Sequence, residues 1–230
     1  GRAYLPKIER AIGPLVRGLT VNIAGSAFRH DLLKVQGDAG QRMLDLYDSR
    51  LYCALSLWID RLEDAPAIHD ALAFMPGRRT LHAVMESVPR EYRTIDWALG
   101  TASPGVTLLA IFRKKPALSA DEFVARWMAH SAHSLKTHPL SRYHRNLVVR
   151  RIAGDGDALD GIVEERVGSI ADLAPERFYI GGAAARAWAA ADIATFIDVQ
   201  SSMRCNLTEE IIAKLPPWLE PLRAGAASGR

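Results

Sequence analysis

The chain has 230 residues and a net charge of +3, from 29 Lys and Arg against 26 Asp and Glu, with 49% hydrophobic and 24% charged residues. That balance fits a soluble globular chain and excludes a disordered, collagen-like or coiled-coil one. No run approaches the roughly 18–20 apolar residues a bilayer-crossing helix needs, and no basic-then-apolar leader opens the sequence. No dense basic stretch interleaves with aromatics, so neither a membrane nor a nucleic-acid partner is expected.

Cys53 and Cys205 stand too far apart for a zinc knuckle or a disulfide framework. They read as buried apolar thiols, and the chain as cytoplasmic.

The elements follow in chain order. Leu5, Ile8, Ile12 and Leu15 recur at spacings of three and four, which predicts a helix over 4–16, weakened at its end by Gly13-Pro14. A strand is expected over 19–24, a polar stretch with a short helix over 41–47, and a strand over 51–60. Asp64-Ala65-Pro66 starts a helix ending near Phe74, and 80–88 is a further strand. Thr101-Ala-Ser-Pro-Gly105 reads as a linker.

Beyond the linker, 106–113 predicts a buried strand. Ser119 and Glu122 form a capping box that opens a helix over 120–136, with Phe123, Trp127 and His130 on one face. Strands are expected over 142–151, 161–167 and 203–209, with helices over 170–178 and 183–198. The second half thus reads β-α-β-β-α-β and the first α-β-β-α-β, the same order without its first strand. The expected architecture is α+β: two tandem ferredoxin-like repeats, residues 1–100 (degenerate) and 101–230 (with a C-terminal tail), each built on an antiparallel sheet.

Several chemistries lack their motifs. There is no Gly-x-x-x-x-Gly-Lys loop, no Gly-x-Gly-x-x-Gly, no Gly-x-Ser-x-Gly elbow and no Cys-x-x-Cys. His130 and His133 share an i,i+3 spacing, but no carboxylate follows in a ligating pattern, so no metal is expected. His138 reads as structural at a helix end. Adjacent Glu164 and Glu165 must send one carboxylate to each face of a strand, and the inward one is a candidate for proton transfer.

The stretch Leu109-Ala-Ile-Phe-Arg-Lys-Lys-Pro116, then Leu118-Ser-Ala-Asp-Glu-Phe123, Trp127, His130 and Arg142-Tyr-His-Arg-Asn146 resembles the EthD family, a branch of the dimeric α/β-barrel superfamily. Ala191-Asp192 with Phe196 adds to the likeness. In the first half Asn22 would align with Asn146, and Ile12 stands where His130 stands, so that copy reads as scaffold.

The resemblance implies that the two antiparallel sheets pair as in a dimeric α/β barrel, and it implies a cofactor-independent lyase, dehydratase, cyclase or isomerase acting on an apolar or aromatic small molecule. His130 would move the proton, with Asn146 and Tyr143 polarising oxygen, and Phe112, Phe123, Trp127, His133 and His144 would contact the substrate. A homodimer is expected, and neither metal nor cofactor. A non-catalytic accessory or ligand-binding protein of a degradation pathway is the alternative, and a haem-binding barrel a weaker one.

Overall fold

Among the described residues seven strands, every neighbouring pair antiparallel, form a single sheet in the order β2-β1-β7-β4-β6-β5-β3. They are β1 (Gly18–Ala24), β2 (Cys53–Trp58), β3 (Thr80–Arg90), β4 (Val106–Phe112), β5 (Leu140–Gly154), β6 (Gly161–Val167) and β7 (Arg204–Lys214). The computed structural model describes residues 2–25, 31, 34 and 51–223, so the helix expected over 41–47 lies outside the described residues.

The sheet curls until its two edge strands face one another. Ser56 on β2 donates to Glu164 on β6 at 3.2 Å, and Trp58 on β2 donates to Glu86 on β3 at 3.0 Å. No backbone ladder joins β2 to β3 among the described residues. The result is an open barrel with a gap between those two edges.

Helices cover the outer face. Helix α1 (Leu5–Ile12) and α2 (Ala65–Ala71) pack Ile8, Ile12 and Ile68 on Leu19, Val21 and Ile23 of β1. On the other side lie α3 (Ala120–Thr137), the single turn α4 (Pro175–Phe178), α5 (Gly182–Phe196) and the single turn α6 (Val199–Ser202). Ser119 caps α3 as expected: its hydroxyl accepts from the Glu122 N–H, and the Glu122 carboxylate accepts from the Ser119 N–H.

The aromatic face of α3 packs on β4. Phe112, Phe123, Trp127 and Phe196 form one buried cluster, with the Phe112 and Trp127 rings edge to face at 5.1 Å. Gly161 on β6 makes room for this contact, since a Cβ there would stand 2.5 Å from Phe112 and 2.9 Å from Trp127.

The segment leading into the predicted linker is part of the core. Ile95 is buried with Ile212, Leu215 and Leu219 and closes one end of the barrel. At the linker's far end Gly105 takes φ +100°, where a Cβ would meet the Val167 carbonyl at 2.2 Å, so only glycine fits.

Most element positions match the sequence expectations, and the boundaries move. The helix expected over 4–16 is an α-helix over Leu5–Ile12 between two 3-10 turns, because Pro14 cannot continue it. Strands β5 and β7 extend beyond the expected 142–151 and 203–209, since the barrel pairs them along both edges.

Candidate functional site

Strand alternation decides which side chains meet inside the barrel. On β5, Arg142, His144 and Asn146 point inward while Tyr143 and Leu147 pack on the helix side; on β6, Glu164 and Arg166 point inward. Strand β7 adds Glu210, and β1 adds Asn22. All of the inward-pointing side chains named here are buried. A cluster of this kind needs every member partnered.

The deepest layer is an ion network. Arg142 donates to Glu91 at 3.0 Å and to Glu210, and lies 3.7 Å from Glu164. Arg166 donates to Thr107 at 2.7 Å and to the Ser103 and Pro104 carbonyls of the linker. The Tyr92 hydroxyl donates to Glu210. Although burial opposes its charge, Arg142 and Arg166 hold the Glu210 carboxyl below the usual range, and burial drives the Tyr92 phenol well above its own.

His144 joins this layer to the space above it. Its Nδ1 meets Glu86 and its Nε2 meets Glu91, each at 2.8 Å. Burial and nearby Arg142 oppose an imidazolium there, but the two carboxylates outweigh them and the pKa is raised. Donors from His144 and Trp58 in turn hold Glu86 low against its burial.

Above the network lies a cavity of about 1500 Å³, larger than the roughly 300–1,000 Å³ usual for a small-molecule pocket. Glu164, Asn146, Ser56 and Glu86 border its inner end, with Leu109, Ile111 and Ile162 as apolar wall. It runs outward between β2 and β3, where Trp58 and Trp218 meet edge to face at 5.3 Å, and reaches Ile68 and His69 of α2 and Leu72 just beyond it.

Glu164 is 3% exposed and central to the inner end. It accepts hydrogen bonds from Asn22 at 3.1 Å, Ser56 at 3.2 Å and Asn146 at 3.3 Å, donors from three different strands. Of the adjacent glutamates, Glu164 therefore faces the cavity. Glu165 lies on the helix side, where burial pushes its carboxyl up to about 7.

The residues singled out from the sequence divide between the two faces of the sheet. Asn146 borders the cavity, and His144 sits directly behind Glu86. His130, His133, Phe123, Trp127, Phe112 and Tyr143 lie among the helices and do not line it.

His130 Nδ1 is bound to Asp192 at 2.8 Å and its Nε2 lies 3.3 Å from the fully buried Ser134 hydroxyl. The ring stacks parallel to Trp188, with centroids 5.8 Å apart, and the His133 ring lies 3.6 Å from the same indole. Burial lowers the His130 pKa against the pull of Asp192. The Tyr143 hydroxyl is engaged with Ser131 at 2.8 Å.

Sequence reasoning missed Glu86, Glu91, Arg142, Arg166 and Glu210. For Arg142, Arg166 and Glu210 the signal was a polar stripe at every second position of a strand: Arg142-His144-Asn146, Glu164-Arg166 and Asn206-Thr208-Glu210.

Among the described residues no group of three or more His, Cys, Asp and Glu side chains could hold a metal ion, and no helix is long and apolar enough to cross a membrane.

No family model matches the chain, and no curated protein matches it. Among solved structures it is similar to one described as an anthrone oxidase-like protein, with a TM-score of 0.45 and 12% sequence identity over 87% of this chain and 95% of that one. A likeness of that size says nothing of what this chain does.

Proposed function

We propose that this chain is a cofactor-independent enzyme of lyase or isomerase type that takes an apolar or aromatic small molecule into the barrel cavity. The EthD-like reading belongs to the same proposal. The order β7-β4-β6-β5 supports it, being the fourth, first, third and second strands of a ferredoxin-like unit. Strands β1, β2 and β3 then form the shorter copy, and the gap between β2 and β3 falls where its first strand would lie.

The proton-transfer role that the sequence gives to His130 passes in this reading to Glu164. The observation that carries the choice is a buried carboxylate at the inner end of a large cavity, steadied by three neutral donors from three strands. A substrate O–H or acidic C–H placed against Glu164 would give up its proton to the carboxylate, which returns it at a second position, so atoms and charge balance. Asn146 would orient the reacting oxygen. His130, with both nitrogens engaged among the helices, would serve packing.

The test starts from the compounds that co-purify with the native protein, identified by untargeted mass spectrometry and offered back to it. Glu164→Gln should abolish turnover while binding stays within about tenfold, and His130→Ala should turn over normally. Turnover by Glu164→Gln at the native rate overturns the assignment. A compound bound but recovered unchanged by the native protein selects the non-catalytic, accessory role instead.

A further inference from the structure

The hydrogen-bond direction at the inner end of the cavity restricts what can bind there, given that the cavity is the ligand site as proposed above. Asn22, Ser56 and Asn146 all donate to Glu164. Trp58 donates to Glu86, and His144 bridges Glu86 and Glu91. Arg142 is committed to Glu91 and Glu210. Most donors of this region are thus aimed at carboxylates, and what faces the cavity is the remaining lone pairs of Glu164 and Glu86 beside the second N–H of Asn146. A ligand end that reaches them must donate, because a carbonyl, ether or carboxylate would set lone pairs against lone pairs in a site shielded from water.

The outer part of the cavity has the opposite character. Arg78, Arg79, Arg113 and Arg204 border it. Of the carboxylates bordering it there, Asp60 is paired with Arg17 at 2.7 Å, which leaves Asp157. A ligand ammonium would have to pass this arginine-rich rim, whereas an anionic group remaining at the rim would be attracted to it.

We infer that the cavity takes a hydroxylated aromatic whose un-ionised phenolic O–H points inward to Glu164 and Glu86, and that it accepts an anionic substituent only at the opposite, rim end. Its aromatic ring lies between the apolar wall of Leu109, Ile111 and Ile162 and the indole of Trp58. Polarity therefore sets the direction of entry, with the hydroxyl leading and the acid trailing.

A matched naphthalene series tests this by titration calorimetry on the full chain. The probes are 2-naphthol, 2-methoxynaphthalene, 2-naphthoate, 2-(aminomethyl)naphthalene and 6-hydroxy-2-naphthoate. The hydroxy acid should bind tightest and 2-naphthol next, with the methyl ether weaker than 2-naphthol by about tenfold or more. The amine and the plain naphthoate should bind more weakly than 2-naphthol. In Glu164→Gln, whose amide can donate, the preference for 2-naphthol over its methyl ether should shrink by about tenfold.

A methyl ether that binds as well as 2-naphthol, or an amine that binds better, overturns the inference and leaves the cavity as a binding site. Failure of the whole series to bind overturns the cavity reading and this inference together.

Discussion

Trp58 and Glu86 tie together two edge strands that share no backbone ladder: the indole N–H of one donates to the carboxylate of the other at 3.0 Å. Trp58→Phe keeps an aromatic ring and removes the donor, which should cost about 1.5–3 kcal/mol for a bond to a charged acceptor. Amide exchange along β2 and β3 should quicken while that of β4 and β6 stays slow. Unchanged exchange at both edges would show that the contact does not hold the gap.

Arg142 is 1% exposed and serves several acids at once, Glu91 and Glu210 by hydrogen bonds and Glu164 at 3.7 Å. Arg142→Met fits the space and leaves those carboxylates without their cation. The expected loss is about 3–5 kcal/mol in a urea denaturation midpoint analysis. The partner change Glu210→Gln should cost less on the Arg142→Met background than alone, because the two act as one unit.

Two histidines should shape stability against pH in opposite ways. His138 is 6% exposed between Phe178 and Tyr179, and its pKa is pushed down to about 4, first by burial and then by His130 and His133. Below its ordinary value of 6.5 the unfolded chain takes up a proton that the folded one refuses. Stability should therefore fall as pH drops from 6.5 toward 4, by on the order of 3 kcal/mol. Removing the titrating ring in His138→Phe should flatten that limb.

His144 behaves in the reverse sense. Its raised pKa makes its contribution complete below 6.5 and lost as pH climbs through the folded-state value, so His144→Gln should flatten the decline above 6.5. Thermal melts of both variants across pH 4–9 check the two limbs.

Gly161 sits under the Phe112 and Trp127 rings, where an added methyl would meet ring atoms at 2.5–2.9 Å. Those rings are locked in a packed aromatic cluster and cannot swing away. Gly161→Ala should therefore lower stability by about 1–3 kcal/mol. A loss well below that range would mean that the cluster has room to move.

The local grammar of the chain was readable because it acts over a few residues. The Ser119–Glu122 box, the Phe123-Trp127-His130 face and the stop at Pro139 each follow from neighbours in sequence. The face of each strand was harder, because both faces mix residue types: Glu165 lies on the helix side, while Leu109, Ile111 and Ile162 line the interior. His130 drew attention as a polar residue on an apolar helix, yet its partner Asp192 lies 62 residues away on α5. The inner network is more distant still: Asn22 and Glu164 are 142 residues apart, and Arg142 and Glu210 are 68 apart. Periodicity could mark such positions, while only barrel closure pairs them.

The reciprocal placement of β7 beside β1 and of β3 beside β5 has a mechanical consequence. Each half of the chain surrenders its last strand to the other, so neither retains a complete set of backbone partners once they are parted. Cleavage near residue 100 should leave two interlocked pieces that copurify and melt together in one calorimetric event, rather than two independent modules that unfold in sequence.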